Sequence, residues 1–312
     1  MDRIATNTAY NSVLANLMQA EIAQTTAGNQ ISSTEKATDL EGYGTGAEAL
    51  TAMQATNSQV TGYLNNSQVV AAKLTTQDTG LNQVAGSATD SISAITNAIA
   101  TGNGDSLMQQ LQTAFGDAVQ GLNTQFNGEY VFAGGQVNTQ PVSATSLSQL
   151  TAAPLASVFH NDQRQISTQV DQNTSVSTGF LADQVGTPLF SALQAIEAYN
   201  QNPATGPLSG TLTPAQQSFL TQQLGTLNTV QTNLNNVVAQ NGLAQAEVTN
   251  TQSALSSRQT MLQGLIGNAT QADLAQASTN LQQAQLSIQA AGQVFQALNS
   301  SSLLNTLTPG VA

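Results

Sequence analysis

The chain has 312 residues, of which only 7% are charged, and its net charge of −12 is set against five basic residues, Arg3, Lys36, Lys73, Arg164 and Arg258. Binding to phosphate needs clustered cations that displace counterions, so nucleic acid and anionic membrane surfaces are excluded as partners. Cysteine is absent, which removes disulfides, thiolate metal sites and thiol nucleophiles. No run reaches the roughly 18 apolar residues of a membrane-spanning helix.

The first residues lack the basic stretch and apolar core of a cleavable signal peptide. The chain is therefore expected either to stay in the cytoplasm or to leave by a route that reads no such signal. Solubility falls to Asn, Gln, Ser and Thr, which can be buried between subunits at less cost than charges where they find hydrogen bonds. The composition suits a self-associating protein, and equally an acidic low-complexity secreted one.

From the N-terminus, Tyr10, Val13, Leu17, Ala20, Gln24, Ala27 and Ile31 recur at alternating intervals of three and four, a helical seam interrupted by Gln24. Residues 31–46, with Gly42, Gly44 and Gly46, read as a connector. Thr45 and Glu48 have capping-box spacing. A long seam follows through Leu50, Met53, Val60, Leu64, Ala71, Leu74, Leu81, Ala85, Ala88, Ile92, Ile95 and Ile99, a helix of about 75 Å at the usual rise. Asn57, Ser67 and Asp78 are its polar members. The glycines of 101–106 end it, and Leu107, Leu111, Ala114, Ala118 and Leu122 mark a shorter helix.

At Asn127 the character changes to short β-prone runs separated by Gly, Asn, Asp and Pro: Tyr130–Phe132, Pro141-Val142, Val158-Phe159, Ile166–Val170 and Thr174–Val176. Phe126, Phe132, Phe159 and Phe180 cluster with them. Thr187-Pro188 and Thr213-Pro214 each place a cap residue before a helix-starting proline. A second long seam runs from Leu220 to Leu265. Gly264, Gly267 and Asn268 are expected to end it.

The last seam has Leu274, Leu281, Ile288 and Phe295 seven residues apart, each followed after three by Ala277, Ala284, Ala291 or Leu298. Large and mostly small residues alternate, so another helix can approach closely. Thr270 and Asp273 are placed to cap it.

The expected fold is mainly α with an inserted β-rich domain. Terminal helices (1–35 with 270–312) pair as a coiled-coil assembly domain. A long antiparallel helical rod (45–126 with 188–267) stands on it, and a small β domain (127–187) forms the tip. Asn57, Asp78 and Asn241 sit on seams where a buried polar group would fix register, or where an incomplete seam faces solvent. Arg258 is expected near the Glu48 end of the rod.

Catalytic chemistry has little to draw on. His160 is the single histidine, in a turn-like stretch that suits a surface residue. Metalloprotease, P-loop and nucleophile-elbow motifs are missing. Asp39/Glu41 and Asn161/Asp162 read as solvated turns rather than cation sites, and Gly134-Gly135 as a hairpin turn. No catalytic residue, cofactor or metal is expected.

Three stretches resemble the bacterial flagellar axial proteins. Arg3-Ile4-Ala5-Thr6 with the heptads after it is similar to the flagellin-type N-terminus. The run Asn127-Gly128-Glu129-Tyr130-Val131-Phe132-Ala133-Gly134 with Thr139-Gln140-Pro141-Val142 is similar to the segment entering the β domain of the hook–filament junction family, hook-associated protein 3. Ala272–Ala277 through Ser302-Leu303-Leu304 is similar to the C-terminal helix and closing leucines. Asn305 and Thr306 depart from the family's Asp and aromatic, and Lys36 stands alone where basic residues are usual.

The resemblance implies a flagellin-like, non-enzymatic structural adaptor, exported unfolded through the flagellar type III channel to the extracellular flagellum. Its implied partners are hook-associated protein 1, flagellin, further copies of itself in a ring, and an export chaperone before secretion. Ile4, Tyr10, Val13, Leu17, Leu274, Leu281, Ile288, Phe295 and Leu298 would carry the assembly contacts. A flagellin-like filament subunit is the alternative within the family. A secreted binding module that uses the β domain is the alternative of another class.

Overall fold

The computed structural model describes residues 2–304, and the side chains of 8–298. Ile4, the rest of the Arg3–Thr6 stretch, the leucines of Ser302–Leu304 and Leu298's C-terminal neighbours therefore have no described side chains, and Asn305 and Thr306 lie outside the described residues altogether. Seven α-helices and two small hairpins are described. They are α1 (Asp2–Ser33), α2 (Ala47–Thr101), α3 (Leu107–Leu122), β1 (Gln125–Phe126), β2 (Glu129–Tyr130), α4 (Leu147–Ala152), β3 (Ser167–Asp171), β4 (Thr174–Ser177), α5 (Ala182–Gln201), α6 (Pro214–Thr270) and α7 (Leu274–Leu304). The chain forms two compact units, 1–59 with 259–312 and 60–258.

In the first unit, α1 and α7 pair antiparallel. Tyr10 meets Phe295 edge-to-face at 5.4 Å near one end, and a backbone bridge joins Glu35 and Gln271 at the other. There the Lys36 N–H donates to the Thr270 carbonyl at 2.7 Å and the Ala272 N–H to the Thr34 carbonyl at 2.9 Å. The Lys36 ammonium adds a bond to the Asn268 carbonyl at 3.2 Å. The break between α6 and α7 is thus at 271–273. Gly264, Gly267 and Asn268, expected to separate the helices, lie inside α6, because a helix tolerates isolated glycine at a cost of only about 1 kcal/mol. Asp273 caps α7 alone: its carboxylate accepts the Ala275 and Gln276 N–H groups at 3.0 Å each. Thr270 instead closes α6, its hydroxyl donating to the Ile266 carbonyl.

The second unit holds the main core. Leu81, Val84, Ile95 and Ala98 of α2, Leu111 and Phe115 of α3, Leu189, Phe190 and Leu193 of α5, and Leu220, Leu227 and Leu234 of α6 are all buried together. Phe190 sits between Phe115 and Phe159, at centroid distances of 5.0 and 5.5 Å. Helices α2 and α3 touch backbone to backbone at a glycine pair: a Cβ on Gly80 would lie 2.6 Å from the Gly121 carbonyl oxygen, and one on Gly121 would lie 2.7 Å from that of Gly80. Only glycine permits that approach.

The strand content is smaller than the β-prone runs suggest. Tyr130 is in a strand, but Val131 and Phe132 follow in a turn. Pro141-Val142 and Val158-Phe159 contribute only the single bridge between Val142 and Phe159, and α4 falls between them. Val131, Phe132, Val142, Leu147, Leu150 and Val158 are buried in the helical core. These apolar runs are filling a helix-lined core, a role periodicity cannot tell from a strand. The β3–β4 hairpin lays Val170 and Val176 on Val70 and Leu74 of α2 and Val248 of α6. The strands lie beside these helices, and a bridge between Asn103 and Thr211 joins the segment after α2 to the segment before α6.

Two helix starts illustrate what cap spacing can and cannot tell. At α6 the expected device is present as a full capping box. The Thr213 hydroxyl accepts the Gln216 N–H at 3.3 Å and the Gln216 side-chain carbonyl accepts the Thr213 N–H at 2.9 Å. At α5 the helix begins five residues before Thr187, at Ala182, with Pro188 inside it. Its cap comes from outside the local sequence: Asn161 accepts the Asp183 N–H at 3.1 Å and donates to the Asp183 carboxylate at 2.8 Å.

Candidate assembly surface on the terminal helices

The face where α1 and α7 meet is built mainly from alanine. Ala20, Ala27, Ala277 and Ala284 are 7, 2, 1 and 4% exposed. Tyr10, Val13, Leu17, Leu281, Ile288 and Leu298 flank them and are half-buried. Leu274 and Phe295 remain 45% exposed each. The seam residues therefore meet within one chain, as the heptads indicate, while keeping part of their surface outward.

A second set of residues is exposed that heptad spacing does not single out. Leu14, Met18 and Ile22 are 52, 56 and 65% exposed along one line of α1, and Leu286 and Val294 are 66 and 47% exposed on α7. The signal was legible: residues four apart stack on one helix face. A search for the dominant seam passes over a second stripe on the same helix.

Between the two helices, on the side of α1 away from the Leu14 stripe, lies a groove of about 800 Å³. Its walls are small or amide side chains, among them Asn16, Ala23, Ala27, Asn280, Gln283, Ala284 and Ala290, and none of its lining residues is ionisable. Helix α7 itself carries no ionisable side chain over its whole length. Burying this surface against a partner would desolvate amides and methyl groups but no charge, which keeps the penalty low.

The remaining polar features hold the second unit together. The Gln77 amide, fully buried, donates to the Val131 carbonyl at 3.1 Å and the Thr178 carbonyl at 2.6 Å. Asn241, also fully buried, bonds back to Leu74 and Asp78 of α2, so this seam position faces the helix partner and not solvent. Arg258 pairs with Asp171 of the hairpin at 3.7 Å, not with the Glu48 end. Asp162 accepts the N–H groups of Gly135 and Arg164 at 2.8 and 3.0 Å, which hold its carboxyl below the usual carboxylate range. Burial lowers the pKa of Lys73 against the opposing charge of Glu129.

His160 is exposed and contacts the Ser143 hydroxyl at 2.9 Å. Among the described residues, no group of three or more His, Cys, Asp or Glu is placed to hold a metal. No described helix is long and apolar enough to cross a membrane.

Residues 4–137 match the bacterial flagellin N-terminal helical region. The match begins in α1, takes in α2, α3 and the β1–β2 hairpin, and ends within the expected Asn127–Val142 stretch. No curated protein sequence matches the chain. Among solved structures, the chain is similar to one assigned as a flagellar hook-associated protein from Vibrio parahaemolyticus, at 14% identity and a TM-score of 0.58, over 72% of this chain and 97% of that one. It is likewise similar to Bacillus cereus FlgL, at 14% identity and a TM-score of 0.52, over 69% of this chain and 97% of that one. The fold is thus flagellin-like: long helices with a small strand-bearing insertion.

Proposed function

We propose that this protein is a non-enzymatic structural component of the bacterial flagellum that joins the hook to the flagellin filament through helical subunit packing. The observation that carries this reading is the terminal helix pair, uncharged along α7 and exposing large apolar residues on a flagellin-type N-terminal region. Such a surface gains free energy by burial at roughly 25 cal/mol per Å², and among the described side chains of the two helices Glu21 of α1 is the single ionic group to desolvate. The likeness to hook-associated structures favours the junction over the filament shaft.

In this role the protein contacts hook-associated protein 1 on one side and flagellin on the other, and forms a ring with further copies of itself. It reaches the cell exterior through the flagellar export channel, and a chaperone covers the apolar terminal helices beforehand. Ile4, Tyr10, Val13, Leu17, Leu274, Leu281, Ile288, Phe295 and Leu298 contribute to the terminal contacts. The flagellin-like alternative predicts a different location, since the match at 4–137 is to the flagellin region itself. Electron microscopy with an antibody to this chain decides between them. A band at the hook–filament joint is the expected result; label along the whole filament establishes the alternative, and absence of label from flagella removes both.

A further inference from the structure

The sequence holds three Asn-Gly dipeptides, Asn103-Gly104, Asn127-Gly128 and Asn241-Gly242. Asparagine before glycine is open to attack by its own backbone, because glycine has no Cβ to shield the following amide nitrogen. The fold protects two of the three. Asn241 is fully buried in α6, with its amide held by the Leu74 carbonyl and the Asp78 carboxylate. The helix keeps the Gly242 nitrogen in its hydrogen-bond ladder. Asn103 is held at both ends of its amide: the oxygen accepts the Asp105 N–H at 2.7 Å and the nitrogen donates to the Asp105 carboxylate at 3.2 Å. The Gly104 N–H donates to the Gly210 carbonyl at 2.8 Å. Gly104 is also buried, and a Cβ there would lie 2.7 Å from the Leu208 carbonyl oxygen.

Asn127-Gly128 is the exception. The two residues form the turn of the β1–β2 hairpin, in which Phe126 pairs with Glu129. Both have positive φ, +52° and +83°, as a type I′ turn requires. Both are exposed, and a Cβ on Gly128 would meet nothing within 4 Å. Among the described residues, no hydrogen bond holds the Asn127 amide or the Gly128 N–H. The flanking strands have two residues each, and so short a ladder opens locally at little cost.

We infer that Asn127 is a site of spontaneous covalent modification, converting to aspartate and isoaspartate in the folded protein. Rotation about the Asn127 ψ bond brings the Gly128 nitrogen onto the Asn127 Cγ, and nothing packs on the tip to resist it. The new N–Cγ bond forms as the side-chain nitrogen leaves as ammonia, which carries away the proton of the Gly128 N–H. Water then opens the cyclic imide. Cleavage at Cγ gives aspartate, and cleavage at the backbone carbonyl gives isoaspartate, in which the chain runs through the former side chain. Either product adds a negative charge two residues from Glu129. Isoaspartate also lengthens the backbone by a methylene, which the two-residue turn cannot accommodate. The reaction needs only water and the exposed turn, so it stands apart from the assembly role proposed above.

Peptide mapping by tandem mass spectrometry tests this on the full chain, incubated in mildly alkaline buffer with and without urea. Each conversion exchanges an amide for a hydroxyl, and the mass difference is assigned to its residue by fragmentation. In the folded protein, Asn127 is expected to convert at least about tenfold faster than Asn103 or Asn241, which react only in the small population that opens locally. In urea the three rates should converge, because the dipeptide is the same at each. Methyl transfer by a protein isoaspartate methyltransferase should label the aged folded chain, and Asn127→Gln should remove that label while circular dichroism shows the helices retained. Equal rates at the three sites in the folded chain overturn the inference. So does an unchanged Asn127 in the folded chain over the time in which the unfolded chain reacts.

Discussion

Asn241 of α6 donates its side-chain amide to the Asp78 carboxylate of α2 at 3.3 Å, and the same amide meets the Leu74 carbonyl at 3.1 Å. The Asn241 side-chain oxygen is buried without a hydrogen bond. The two bonds tie together helices of more than fifty residues each at one point, and a shift by a turn would break both. Asn241→Ala is expected to lower unfolding free energy by about 1–3 kcal/mol, seen as a lower urea midpoint at unchanged slope. Asn241→Leu, which also removes the orphan oxygen, should be more stable than the alanine variant. Unchanged midpoints for both would show that the alignment rests on the apolar seam alone.

Gln77 ties α2 to the inserted segment at two points through one amide. Replacing it with leucine leaves the Val131 and Thr178 carbonyls buried and unpaired, at about 1–3 kcal/mol each. Hydrogen exchange is expected to speed up around 129–132 and 176–180 in Gln77→Leu, with α3 amides little affected. Uniform loss of protection across the second unit would argue that the amide acts on global stability instead.

The β3–β4 hairpin can be held to α2 and α6 by its valines or by its ion pair. Magnitudes favour the valines. Val170 and Val176 are 0 and 1% exposed, whereas the Arg258 and Asp171 side chains are 47 and 20% exposed, a setting in which ion pairs contribute no more than about 1 kcal/mol. Val176→Ala should cost roughly 1–3 kcal/mol, and Arg258→Ala less than about 1 kcal/mol. Denaturation in low and high salt checks the ranking, and a larger loss from Arg258→Ala reverses it.

Asp162 organises the Gly134-Gly135 turn. Its folded-state pKa is depressed by the Gly135 N–H first and the Arg164 N–H second. Its contribution to stability is therefore present above the ordinary carboxylate pKa and is lost as pH falls through the lower folded value. The Gly135 and Arg164 amide resonances are expected to titrate together, with a midpoint below the usual aspartate range. Gly134 has φ +67° and faces the Asp162 carboxylate so closely that a Cβ would collide with it. Gly134→Ala should destabilise the turn, and an unaffected melting curve would contradict that packing.

Much of this was legible in the residues themselves. Heptad spacing located α1, α2, α6 and α7, because a buried seam imposes its period directly on the sequence. The Thr213–Gln216 cap was equally local. What could not be read depended on distant partners. Asn161 caps α5 from twenty-two residues upstream of Asp183, so the Thr187-Pro188 signal marked the wrong start. Val131 and Val158 have β-prone neighbours but are claimed by a helical core. Arg258 found Asp171 because the hairpin folds back along α6.

The terminal helices show the division clearly. Their periodicity, their lack of charge and their need for a helical partner follow from the sequence alone, since a 3.5-residue repeat of apolar side chains has no other stable use in water. Which apolar residues are used up in pairing and which remain outward was decided only by the tertiary structure. Ala20, Ala27, Ala277 and Ala284 fill the contact because small side chains let the helix axes come close, while Leu14, Met18, Ile22 and Leu286 sit at positions on the helices that face solvent.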